Sequence, residues 1–188
     1  MFLSCIITDQ IRSKILLLGV IVSLELLSTF VVADVVINEI HYDANPKTEP
    51  AEFVELFNSG DARVDVSGWR IAGGVDYTFP DGSALDPGGF LVIAEDPAVI
   101  RSRFGFQTVH QYRGRLDNDG EKIKLMNSFG KDVDEVDYDS GFPWPTSARG
   151  LGSSMELVHP LLDNDLGGSW RSSSVGSIGP EITYISKR

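Results

Sequence analysis

From Asp34 onward, apolar residues come in short runs or alternate with polar ones, and Gly, Pro, Asn and Asp fill the gaps. A period of two argues for strands, and frequent turn residues argue that the strands are short. Strands are expected at Val35 to Tyr42, Glu52 to Asn58, Trp69 to Ala72, Asp76 to Phe79 and Phe90 to Ala94, then at Val109 to Tyr112, Lys122 to Asn127, Val133 to Tyr138 and Met155 to His159. Helical periodicity is nearly absent. Pro97 to Phe104 is the one stretch that reads as a helical turn or two, with proline at its start and Gly105 at its end. The pattern predicts an all-β fold, an antiparallel β-sandwich.

Strict alternation places Val36, Asn38 and Ile40 on one face of the first strand and Ile37, Glu39 and His41 on the other, with Phe53, Glu55 and Phe57 sharing a face of the second. Glu39 and Glu55 therefore travel with apolar neighbours. A carboxylate so placed needs compensation from backbone N–H groups, from an arginine such as Arg70, or from a cation. Further along, "DNDGEKIKLMNSFGKDVDEVDY" reads as a hairpin. Ile123 and Leu125 alternate with Lys122 and Lys124, the chain turns at Asn127 to Gly130, and Val133, Val136 and Tyr138 return, leaving one charged face to solvent. The glycines of "NSGDARVDVSGW" and "FPDGSALDPGGF" mark turns where a positive φ is needed. Past Asp139 the chain is loop-rich, and Trp144 and Trp170 are expected to plug the ends of the sandwich with each indole N–H on a backbone partner.

The first 33 residues change the picture of compartment. Arg12 and Lys14 precede an apolar run, Ile15 to Ala33, that ends in Val31-Val32-Ala33, the form of an exported signal segment cut before Asp34. The alternative is an uncleaved anchor, the only route to a membrane association, and Glu25 in mid-run opposes it. Residues 34–179 then form the domain, 180–188 a short extension, and the location is secreted or in the cell envelope. The sole cysteine, Cys5, lies before the apolar run, which leaves the exported part without disulfide or thiolate chemistry. The formal charge of −11 belongs wholly to residues 34–188, because Asp9 and Glu25 cancel Arg12 and Lys14. Such a field repels phosphate backbones and argues against nucleic acid as a partner; Arg101, Arg103, Arg113 and Arg115 are the nearest thing to a basic patch.

The order of "VVINEIHYD", "EFVELFNSGDARVDVSGWRI", "YTFPDGSALDPGGFLVIA", "LDNDGEKIKLMNSFGKDVDEVDY", Trp144-Pro145, "GSSMELVHP" and "SWRSS" resembles the lamin tail domain in its secreted bacterial form. The resemblance runs from about Val35 to Gly179. It implies an immunoglobulin-like sandwich and a non-enzymatic module, of the kind found in nuclear filament proteins and beside nucleases, hydrolases or other surface modules in exported bacterial proteins. No heptad rod and no companion catalytic domain accompany it here. The implied role is that of an interaction or structural module whose partner is a protein, a glycan or an envelope component.

Candidate chemistry narrows accordingly. His41, His110 and His159 are the available imidazoles, and none has the context of a catalytic triad. The absence of cysteine after residue 33 and of paired histidines argues against zinc. Calcium fits better, since it takes carboxylate and carbonyl oxygens from irregular loops. Its candidate ligands are Glu39, Glu55, Asp117, Asp119, Asp163 and Asp165, although "DNDG" fails the EF-hand spacing because Arg115 and Met126 would fall at the first and twelfth positions. A calcium-stabilised adhesive domain is therefore the alternative reading. A hydrolase using Glu39 and Glu55 as paired carboxylates is a third, and needs a cleft around them.

Overall fold

The computed structural model describes residues 35–106 and 109–174. The expected signal segment and C-terminal extension lie outside the described residues. The chain runs through β1 (Val35–His41), β2 (Phe53–Asn58), β3 (Val64–Asp65), β4 (Arg70–Ala72), β5 (Val75–Thr78), β6 (Ala84–Leu85) and β7 (Phe90–Ala94). It continues with α1 (Pro97–Phe104), β8 (Val109–Gln111), β9 (Arg113–Gly114), β10 (Gly120–Met126), β11 (Asp132–Asp139), β12 (Met155–Leu157) and β13 (Trp170–Ser172). A six-stranded sheet has the order β13-β12-β1-β2-β7-β8, a five-stranded sheet the order β11-β10-β4-β5-β9, and β3 pairs with β6. This is the all-β sandwich expected from the alternation.

The main core is built from both large sheets: Ile37, Ile40, Val54, Leu56 and Ile93 from one, Ile71, Ile123, Leu125 and Val136 from the other. A second apolar cluster gathers Phe53, Val92, Ala94, Ile100 and Val109, so α1 covers the far side of β7 and β8. Asp96 caps this helix by accepting N–H bonds from Ala98 and Val99, Pro97 opens it, and Gly105 closes it at φ 77°. Because α1 is a crossover, β7 and β8 pair in parallel, the exception to the expected antiparallel scheme.

Strict alternation fails in β1. Ile37 lies opposite Leu56 and Glu39 opposite Glu55, which makes Asn38 the extra residue of a β-bulge. The bulge changes the phase. Ile37 and Ile40 face the core opposite Leu56 and Val54, while Glu39 and His41 sit with Glu55 and Phe53 on the other face. The expected grouping of Ile37 with Glu39, and of Asn38 with Ile40, is corrected by this single inserted position.

The hairpin of β10 and β11 follows the pattern closely. Ile123 and Leu125 are fully buried, and Lys122 and Lys124 reach Glu135 and Asp132 on the solvent side at 2.8 to 2.9 Å. The turn glycines Gly68, Gly82 and Gly88 all have positive φ. Trp144 and Trp170 are buried with ring centroids 6.1 Å apart, and the Trp170 indole donates to the Asn164 carbonyl at 2.8 Å.

Candidate functional site

Register alone draws a line across the six-stranded sheet. Arg171 lies opposite Glu156, Glu156 opposite Glu39, Glu39 opposite Glu55, Glu55 opposite Val92, and Val92 opposite Val109. Three glutamates thus occupy consecutive strands, with an arginine at one end and two valines at the other. Glu39 is 4% exposed and Glu55 2% exposed.

Their partners are few. Glu39 accepts a short hydrogen bond from the Ser154 hydroxyl, and Glu55 accepts one at 2.9 Å from the Asn38 side-chain amide, which the bulge carries to that side. Asn38 Oδ1 and Glu55 Oε2 are buried without a hydrogen-bond partner. Arg171 spends its guanidinium on Glu156, at 2.9 to 3.0 Å. Arg70, the arginine expected to neutralise the pair, belongs to the other sheet and binds both oxygens of Asp76 at 2.9 Å. Compensation comes instead from a hydroxyl, an amide and protonation. Burial first, and then the charge of Glu55, raises the Glu39 carboxyl well above the usual range; burial, opposed by Asn38 and assisted by Glu156, raises Glu55 to about 7. With so little exposure, the pair holds a proton and presents no open acid and base to a substrate.

The other candidate ligands already have partners, within their own loops or across to Arg149 and β11. Asp117 accepts the Asp119 N–H at 2.9 Å, and Asp119 pairs with Arg149 at 3.2 Å. Asp163 accepts the Asp165 N–H at 3.1 Å, and Asp165 accepts the Asp137 N–H at 2.6 Å. The structure brings Glu39 and Glu55 together and leaves the aspartates in two separate loops. Among the described residues, no group of three or more His, Asp or Glu side chains is arranged to hold a metal ion.

Sequence reasoning missed Asp134. It stands opposite Leu125 in β11, is largely buried, and accepts the Ile37 N–H at 2.7 Å and the Asn164 side-chain amide at 2.8 Å. Burial, only partly offset by these donors, raises it to about 6. Asp134 ties β1 beside its bulge to the opposite sheet. The signal was present in the sequence: Val136 and Tyr138 fix the inward phase of β11, and position 134 shares it.

The histidines are scattered. His41 is fully buried between the Phe53 and Phe104 rings, its Nδ1 2.7 Å from the Ala51 carbonyl oxygen, and burial lowers its pKa. Ser154 has a carboxylate as its side-chain partner, not an imidazole.

A family model, the Lamin Tail Domain, matches residues 29–140. The chain belongs to the lamin tail domain family. A search of curated proteins finds no match. Among solved structures, a DUF4876 family protein from Bacteroides thetaiotaomicron VPI-5482 aligns at 11% identity with a TM-score of 0.39, over 51% of this chain and 43% of that one. In this lamin tail domain, β12 and β13 lie beyond the matched residues, yet they complete the six-stranded sheet and supply Glu156 and Arg171. Ser154, the donor to Glu39, also lies beyond the match. As immunoglobulin-like domains without enzymatic activity, lamin tail domains are consistent with a buried, proton-holding carboxylate pair.

Proposed function

We propose that this lamin tail domain is an exported, non-enzymatic interaction module that binds a protein partner through the loops between β11 and β13. The carrying observation is exposed apolar surface on those loops: Phe142 is 93% exposed, Leu161 68% and Leu166 58%. Exposed apolar side chains mark a contact surface where they form one contiguous patch, so this reading requires the three to act together. The loops are held together at their base, where Gly167 sits so close to Trp144 that an added Cβ would fall 2.8 Å from the Trp144 nitrogen. A rigid base with apolar tips favours a protein partner over a glycan.

Pull-down of residues 34–188 against extracellular and envelope fractions tests this reading, with Phe142→Ser/Leu161→Ser/Leu166→Ser as comparison. The expected result is a saturable protein partner that the triple variant loses without a change in melting temperature. Equal capture by both forms overturns the assignment of the surface.

The second reading, a calcium-stabilised adhesive domain, draws on Asn38 Oδ1 and Glu55 Oε2, two buried oxygens without partners beside Glu39. An unchanged melting temperature on adding EDTA or calcium would remove it.

A further inference from the structure

A cavity of about 190 Å³ lies between the β1–β2 loop and the β9–β10 loop. Gly150 of the β11–β12 loop backs onto its Asp43 and Lys47, while Phe142, Leu161 and Leu166 are not among its lining residues. The cavity admits several water molecules, enough for a small polar ligand such as a single sugar ring. Tyr42, Asp43, Lys47, Glu52, Arg115 and Asn118 are among the residues that line it.

Two of the three lining acids are inside and the bases are at the mouth; the third, Glu49, is partly exposed and is neutralised by Arg103. The Asp43 and Glu52 side chains are 3% and 9% exposed, whereas Lys47 and Arg115 are about two-thirds exposed. Asp43 holds the Lys47 ammonium at 3.1 to 3.2 Å and the Asn118 side-chain amide at 3.3 Å. Glu52 Oε2 accepts the Leu116 N–H at 3.0 Å and the Tyr112 hydroxyl at 3.3 Å, while Oε1 has Arg115 only at 3.7 Å. The Tyr42 hydroxyl is buried and has no hydrogen-bond partner. Burial, with the charge of Asp43 next, pushes that hydroxyl up to about 12, so it carries its proton.

This lining selects against charged ligands of either sign. An anion would face Asp43 and Glu52, and a free cation would meet Lys47 and Arg115 at the entrance. A neutral molecule rich in hydroxyls suits it, since each hydroxyl can donate to a carboxylate and accept from an ammonium, guanidinium or amide. We propose that the cavity bounded by Tyr42, Asp43, Glu52 and Asn118 is a binding site for one monosaccharide unit, free or at the end of a glycan chain.

The test is a titration of the full chain with glucose, galactose, mannose and N-acetylglucosamine, followed by NMR on the Asn118 side-chain amide and the backbone amides of residues 42–52. Saturable changes in resonance position with at least one sugar are expected. Affinity should fall about tenfold or more in Lys47→Ala, as loss of one hydrogen bond to a charged partner predicts, and about threefold to tenfold in Asn118→Ala, where the lost bond is neutral. Both positions are exposed, so the fold should survive. Absence of a saturable response to all four sugars overturns the proposal. So does an equal response in both variants, or saturation of the same amides by calcium, methylammonium or acetate in place of sugar. Loss of protein capture in the loop variants would leave this titration unaffected, so the two readings fail separately.

Discussion

Glu39 and Glu55 face one another as directly paired residues of β1 and β2, both almost wholly removed from solvent. Cβ atoms of such pairs lie about 4.5 to 5.5 Å apart, and two ionised carboxylates at that spacing repel strongly where water cannot screen them. The sheet tolerates them because Ser154 and Asn38 each donate one hydrogen bond and because a proton is retained.

The stability contributed by this pair should therefore fall as pH rises from about 4.5 through about 7 and beyond. Asp134 adds to the fall, and the buried His41 opposes it. Both carboxyls of the pair are raised in the folded state, so the native chain binds more protons than the unfolded chain in that window. Their contribution is fully present below the unfolded value and is lost as pH passes the folded one. A tenfold difference in proton affinity between the folded and unfolded chain is worth about 1.4 kcal/mol. Urea denaturation at pH 5 and pH 8 would show the slope, and Glu55→Gln should flatten it and raise stability at pH 8. An identical slope in the variant would refute the assignment.

Ser154→Ala should destabilise by about 1 to 3 kcal/mol, the cost of removing a buried donor from a carboxyl group. The loss should be larger at pH 8 than at pH 5, because a protonated Glu39 needs the donor less. A pH-independent loss would mean that Ser154 acts by packing alone.

Replacing Asp134 with alanine should cost more than a surface change, about 2 to 3 kcal/mol, since the Ile37 N–H and the Asn164 amide lose their common acceptor. Hydrogen exchange at the Ile37 amide should accelerate beyond what the global loss of stability explains. Equal protection in the variant would show that Asp134 does not hold the bulge.

Gly73→Ala should destabilise by more than about 1 kcal/mol, as alanine does where φ is positive. Gly73 has φ 142°, and an added Cβ would fall 2.3 Å from the Lys122 carbonyl oxygen, so the β4–β5 turn could not approach β10. Thermal melting measures this, and a wild-type midpoint would contradict the close approach.

The alternation of residues by itself determined most of the strands and the hairpin of β10 and β11, because side chains that must choose between core and solvent impose a period of two on a strand; Pro97 and Gly105 set the limits of α1. The alternation also marked Glu39 and Glu55 as acids on an apolar face. Four short strands escaped it, β3, β6, β9 and β13: the first three have only two residues each, too few to show a period, and β13 emerges from the loop-rich stretch after Leu157. Tertiary structure alone decided the bulge at Asn38, since an extra residue is defined by the partner strand and not by its own sequence. It also decided what neutralises the acids: Ser154 lies 115 positions from Glu39, and Asp134 lies 97 from Ile37. Separations of that length carry no local pattern, so only the folded arrangement of the sheets could bring those donors and acceptors together.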